Sequence, residues 1–114
     1  MTIQELGMCA QWHVGVKIVL LDNNYLGMVR QWQQLFFDRR YSSVELQNPD
    51  FIKIADGFGV SGKTIEKPEE LDAAIAEMLA HDGPYLLHVK VEKEENVFPM
   101  VPSGAAVDEI VLEK

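Results

Sequence analysis

Asp22, Asn23 and Asn24 end a nearly continuous apolar run, Val16 to Leu21; Gly27 follows, then Met28, Trp32 and Leu35 at helical spacing. An amide-rich turn at the carboxyl end of a buried strand, opening into an aromatic-bearing helix, is where open α/β sheets place their ligands. A plainer reading stands beside it. Asn serves turns readily, and a Met/Trp pair at i, i+4 more often packs into a core than lines a pocket.

Other residues invite chemistry and do not sustain it. Gly57, Gly59 and Gly62 spell GxGxxG, but a dinucleotide fingerprint must follow a strand and open a helix. Here the pattern follows a helix and leads into a strand, so it reads as a helix stop and turn. His13, His81 and His88 are scattered, with no metal-ligand spacing and no partnered cysteine. His81 suits a helix C-terminus, where positive charge is welcome. Glu92, Glu94 and Glu95 read as a solvated charge run, and Arg39 and Arg40 as an exposed helix end. The single cysteine, Cys9, permits no internal disulfide, reads as a packed small hydrophobe and fits a reducing, cytoplasmic setting.

The elements that must position the turn follow from the rest of the 114 residues. That length is at most one domain, and its apolar share of 47% is that of a soluble globular protein. No apolar run approaches a membrane span, and no signal-like segment opens the chain. Ten basic against eighteen acidic residues give a net charge of −8, which argues against nucleic acid or an anionic membrane as partner. An anionic cofactor stays open, since a metal and backbone N–H groups can hold phosphates.

Helix and strand alternate along the chain. Thr2 and Glu5 stand in capping-box spacing, predicting a helix almost from the first residue. Val16–Leu21 predicts a buried parallel strand. A helix is expected from Gly27 to about Arg40. Asn48, Pro49 and Asp50 read as N-cap, N1 and N2 of the next, which carries Phe51, Ile54, Ala55 and Phe58 and stops at Gly59. A short strand near Lys63–Ile65 precedes Pro68 at a helix N1 position. The stripe Leu71, Ala74, Ile75, Met78 and Leu79 follows, closed by Gly83 and Pro84. Tyr85–Val91 predicts a strand near a sheet edge. From Glu92 the chain is polar and then a Pro/Gly-containing tail.

This alternation predicts an α/β fold, a three-layer sandwich with a mostly parallel sheet. Only three strands can be counted, fewer than sheets usually have, and the first helix lacks a preceding strand. The expectation is the second half of a domain.

The residues also carry a family likeness. IQEL at Ile3–Leu6, LDN at Leu21–Asn23, LGMVRQWQ at Leu26–Gln33, RYS at Arg40–Ser42, NPDF at Asn48–Phe51, DGPYLLHV at Asp82–Val89 and FPMVPSGA at Phe98–Ala105 follow in the same order in another family. The chain resembles the carboxyl-terminal part of the thiamine-diphosphate-binding domain of acetolactate (acetohydroxyacid) synthase catalytic subunits, with residues 93–114 as a C-terminal tail.

That resemblance implies thiamine diphosphate held through Mg²⁺, which takes about six oxygen ligands. The family supplies an Asp from a GDG turn, an Asn side chain further along, and a backbone carbonyl two residues beyond it. Carried over, the amide ligand is Asn23 and the carbonyl that of Tyr25, with adjacent Asn24 the competitor. Asp22 departs from the Asn of many members at a position that does not ligate. Cofactor contacts fall to Tyr25, Leu26, Gly27 and Met28. Met28 and Trp32 line the substrate pocket, where Trp32 separates 2-ketobutyrate from pyruvate as the second keto acid. The FPMVP tail receives no role.

The GDG turn and the family's activating glutamate are absent from this sequence. Met1 is therefore expected to correspond to an internal position of a longer subunit, and the chain to hold no catalytic residue and be inactive alone. The implied enzyme decarboxylates pyruvate and joins the hydroxyethyl unit to a second 2-keto acid, in branched-chain amino-acid biosynthesis. It further implies FAD in the full-length member, bound outside this segment, a homo-oligomer and a regulatory small subunit. Two alternatives remain: a truncated interaction module, and a piece of a sister enzyme such as glyoxylate carboligase or pyruvate oxidase.

Overall fold

A computed structural model describes Thr2–Glu113. In chain order its elements are α1 (Glu5–Gln11), β1 (Lys17–Asp22), α2 (Gly27–Phe36), α3 (Phe51–Gly57), β2 (Ser61–Ile65), α4 (Leu71–Ala80) and β3 (Tyr85–Lys90). Short 3₁₀ turns lie at Pro68–Glu70 and Val107–Glu109. The chain divides into two compact units. One runs to Asn23 and resumes over Gln47–Val91; the other comprises Asn24–Leu46 and the chain from Glu92 onward.

The first unit is a three-layer α/β sandwich around a fully parallel sheet in the order β1-β3-β2. Successive side chains of β3 point to opposite faces. Tyr85 and Leu87 join Ile65 of β2 and Ala74 and Met78 of α4, with Ile75 and Val89 against them. Leu86 instead joins Leu6 of α1, Ala55 of α3 and Val60, with Ile18, Phe51 and Ile52 against them. Strand β3 is therefore central and buried on both faces, where an edge position was expected. Its Tyr85–His88 run is buried throughout, which explains why four consecutive positions leave no alternation to read.

The reverse correction applies to β1. It lies at the edge, and Val19 and Leu21 are 51% and 69% exposed despite the uniformly apolar sequence. Helix α4 packs over β2 and β3, leaving that face of β1 uncovered.

Several boundaries move for local reasons. Helix α1 starts at Glu5 with Gln4 at its N-cap and no capping side chain, so the Thr2 capping box does not form. Helix α2 ends at Phe36, short of Arg40, because Asp38 and Arg39 take left-handed φ angles of 51° and 57°. Asp50, not Asn48, caps α3, its carboxylate accepting from the Lys53 N–H at 3.1 Å. That two-residue shift leaves Asn48 to bond elsewhere.

In the second unit Tyr25 bridges Glu45 in antiparallel fashion. The Leu26 N–H donates to Val44 O, and the Leu46 N–H to Asn24 O, each at 2.8 Å. Met100 and Val111 form a similar bridge.

Candidate functional site

In the first unit the carboxyl end of β1 carries a buried polar network. Asp22 and His88, each 6% exposed, meet through Asp22 Oδ2 and His88 Nε2 at 3.0 Å. Asn48 Nδ2 donates to Asp22 Oδ1 at 2.7 Å, and the Val91 N–H donates to the Asp22 carbonyl at 3.0 Å. Thr64 Oγ1 lies 3.1 Å from His88 Nδ1, and the Phe51 ring stands edge-on to the imidazole with centroids 5.2 Å apart. In the tautomer that carries its proton on Nε2, that N–H donates to the carboxylate and Nδ1 accepts from the Thr64 hydroxyl. A hydrogen-bonded line thus runs from β2 through β3 to β1, and its last residue directly precedes Asn23. Buried polar groups persist when paired in this way.

Asn23 ends the first segment of this unit and is half-buried. Asn24, its competitor, takes the left-handed conformation with φ 57°, and its carbonyl accepts from Leu46. Asn tolerates that region better than most side chains, so Asn24 does the turn's work.

Tyr25, Leu26, Gly27, Met28 and Trp32 belong to the second unit. The bonds flanking the Tyr25–Glu45 bridge run from Leu26 to Val44 and from Leu46 to Asn24. Tyr25 therefore occupies a non-hydrogen-bonded pair, and its own carbonyl is directed away from the 44–46 segment. Leu26 is the N-cap of α2 without a capping side chain, and the first turn holds no acidic residue. Its leading N–H groups, beginning at Gly27 and Met28, have no intrahelical acceptor. Met28 and Trp32 lie one turn apart and are 50% and 52% exposed. They are not core residues.

The buried flank of α2 is polar instead. Arg30 is 0% exposed; Nη1 donates to Gln34 Oε1 at 2.6 Å, and Nη2 to Asn96 Oδ1 at 2.7 Å and Glu95 O at 3.1 Å. These acceptors are all uncharged, and Arg30 Nε is buried without a partner. Gln31 bonds the tail at Val97 and contacts Met100 Sδ at 3.2 Å. The tail that the sequence left without a role is thus fastened to α2.

The discarded candidates fall where their residue types suggest. Gly59 ends the α3 region with φ 77°, while Gly62 lies within β2, where a Cβ would meet Leu86 O at 2.5 Å. These glycines serve a helix stop and a close strand approach. His81 caps the C-terminus of α4, and His13 faces Asp82 at 3.4 Å on the surface. Glu92, Glu94 and Glu95 are exposed, as are Arg39 and Arg40. Cys9 is free and half-buried. Among the described residues no three His, Cys, Asp or Glu converge on a metal position.

Thr64, Arg30 and Gln31 were not singled out from the sequence, which set His88 aside as a scattered histidine and read Asn48 as a helix cap. For two of the network's members a signal existed: Asp22 closes an apolar strand and His88 interrupts another, and polar groups in buried strands require partners. Nothing in the spacing says that the two strands are neighbours.

Comparison with known proteins shows what the chain is similar to. Residues 1–89 match the family described as thiamine pyrophosphate enzyme, C-terminal TPP binding domain. The chain is 53% identical over 112 residues to the acetolactate synthase isozyme 2 large subunit of Escherichia coli K12, covering 97% of this chain and 20% of that protein. It is 46% identical over 111 residues to the mitochondrial acetolactate synthase catalytic subunit of Saccharomyces cerevisiae, covering 97% and 16%. The chain thus spans a fifth or less of these relatives' length. The thiamine diphosphate-dependent 4-hydroxybenzoylformate decarboxylase of Rhodococcus jostii RHA1 superposes with a TM-score of 0.70 at 28% identity, covering 82% of this chain and 18% of that one. Benzoylformate decarboxylase from Polynucleobacter necessarius shares the fold, with a TM-score of 0.72 at 22% identity over 85% of this chain and 18% of that one. No helix among the described residues is long and apolar enough to cross a membrane. With a parallel α/β sheet, a polar turn at a strand's carboxyl end and a family match over most of its length, the chain belongs to the thiamine pyrophosphate enzymes through their C-terminal, TPP-binding domain.

Proposed function

We propose that this chain supplies the carboxyl-terminal part of the thiamine diphosphate site of an acetolactate synthase, with residues 93–114 as its tail. In this reading the whole enzyme decarboxylates pyruvate and joins the hydroxyethyl unit to pyruvate or 2-ketobutyrate. The observation that carries it is the turn at the end of β1. Asn23 directly follows the strand, Asn24 takes the left-handed position with its carbonyl bonded to Leu46, and the Tyr25 carbonyl is turned away from its ladder.

The donor set fits Mg²⁺. A carboxamide and a peptide carbonyl are hard oxygen ligands of the type this ion takes, and they fill two of about six positions. The remaining positions would be filled by the diphosphate, water and a further carboxylate. The first turn of α2, free of acidic side chains, adds N–H donors and a partial positive charge suited to a phosphate. Bound thiamine diphosphate supplies the electron sink for decarboxylation. The chain's residues would hold and orient: Asn23 and Tyr25 the metal, Tyr25 to Met28 the cofactor, Met28 and Trp32 the keto acid. FAD, the regulatory subunit and the oligomer belong to the whole enzyme in this reading.

The test is a chimera in which this chain replaces the matching fifth of the E. coli isozyme 2 large subunit. Acetolactate formed from pyruvate, dependent on Mg²⁺ and thiamine diphosphate and abolished by Asn23→Ala, is the expected result. A folded chimera that makes none overturns the assignment. The 114-residue chain by itself is expected to yield no acetolactate.

A further inference from the structure

We infer that Asp22, His88 and Asn48 form a positioning device that holds the Asn23 carboxamide in its ligating direction. This rests on the reading of Asn23 as a metal ligand.

The last residue of an edge strand, in the final pair of its ladder, is ordinarily among the looser parts of a sheet. Asp22 is held there from three directions. His88 on β3 takes one carboxylate oxygen, Asn48 from the segment before α3 takes the other, and Val91 takes the main-chain carbonyl. With the Asp22 backbone and side chain both fixed, little freedom remains to the next Cα. The Thr64 hydroxyl and the Phe51 ring in turn fix the plane of the imidazole.

Sheet stability does not require this arrangement. Burying a carboxylate is costly unless it is paired, and apolar residues of similar volume hold strands at least as well as a buried polar pair. Asp22 lies in register with Lys90, an obvious countercharge. Yet Lys90 Nζ bonds Glu66 at 2.6 Å, and Asp22 takes the neighbouring inward residue. The network also lies toward the carboxyl ends of all three strands, the end from which such sheets present ligands. Partners that orient a metal ligand from behind are worth about 10–100-fold in metal affinity.

His88→Phe retains a ring against Phe51 and removes both hydrogen bonds. Asp22→Asn removes the charge and turns one of the two acceptors into a donor, which the imidazole meets by accepting at Nε2 with its proton moved to Nδ1, facing the Thr64 hydroxyl. The 114-residue chain is followed by amide hydrogen exchange, and by Mn²⁺ broadening of the Asn23 side-chain amide signal in the presence of thiamine diphosphate. His88→Phe should speed exchange at Asn23 and Asn24 by about tenfold or more while Leu86 and Leu87 in β3 stay within about threefold. It should weaken Mn²⁺ binding by about 10–100-fold, and Asp22→Asn should preserve both readouts. Wild-type exchange at Asn23 and Asn24 in folded His88→Phe overturns the inference whatever the metal does, as does acceleration shared equally by β3. Broadening in the wild type that persists undiminished in His88→Phe overturns it as well. No broadening in the wild type overturns the ligand reading separately, since exchange reports the order of the turn without any metal.

Discussion

Gln31 and Val97 grip each other through both ends of a carboxamide. Gln31 Nε2 donates to the Val97 carbonyl at 3.0 Å, and Gln31 Oε1 accepts from the Val97 N–H at 2.7 Å. A side-chain amide here stands in for a neighbouring strand and gives the tail a fixed register on α2. Replacing Gln31 with Leu keeps the bulk and removes both bonds. Val97 is itself well exposed, so water can recover its backbone groups. The expected cost is therefore modest, about 1–2 kcal/mol by chemical denaturation, with the Val97 amide losing its exchange protection.

Tyr85 should ionise late. Burial first, and then its hydrogen bond to Glu77 at 2.9 Å, push the phenol from 10.0 up to about 12. The folded state favours the neutral phenol, so this stabilisation is complete below pH 10.0 and is lost as pH rises toward about 12. Tyrosinate absorbance in the wild type minus Tyr85→Phe should show one phenol titrating near the top of that window. A difference spectrum already complete by pH 10.0 would contradict the burial. Glu77 runs the opposite way: the Lys63 ammonium, then the Tyr85 hydroxyl, hold its carboxyl below the usual 4.5. Its contribution is present above that value and disappears as pH falls through the lowered one. Lys63→Ala should shift this acid limb upward.

Gly62→Ala tests whether GxGxxG is architecture. A Cβ would lie 2.5 Å from Leu86 O and 3.2 Å from Ile52 Cδ1, so strand or helix must move. Overpacking of this kind typically costs about 1–3 kcal/mol. Gly57→Ala meets nothing within 4 Å and should be close to neutral. Thermal melts of the two variants compared directly decide the point, and equal melts would remove the steric account.

Trp32 should matter to selectivity more than to folding. It is half-exposed, so Trp32→Leu should leave the melting temperature nearly unchanged. In the chimera it should alter the ratio of products formed from 2-ketobutyrate and pyruvate supplied together. Discrimination of a single methylene is worth about 1–3 kcal/mol, and the variant should lose most of it. An unchanged ratio in an active chimera would remove Trp32 from the pocket.

Much of the fold was legible because hydrophobic period and punctuation are local. Pro68 marks the 3₁₀ turn leading into α4, Gly59 ends the α3 region, β1 and β3 fall on apolar runs, and β2 lies where a short strand near Lys63–Ile65 is expected. The turn from Asp22 to Tyr25 announced itself through residue type, and the order of motifs along the chain gave its family. Which strand lies at the centre was not legible. An apolar run measures how a strand can be buried, whereas sheet order depends on which helices cover which strands. Thus β1, with its apolar run Ile18–Leu21, stands at the edge, and β3 takes the middle. The Asp22–His88 pair is separated by 66 residues and the Arg30–Asn96 pair by as many. Residue type and spacing pointed to the turn after β1 as the candidate site. Only the tertiary structure decided what stands behind it, because partners brought together by chain crossovers leave no periodicity in the sequence.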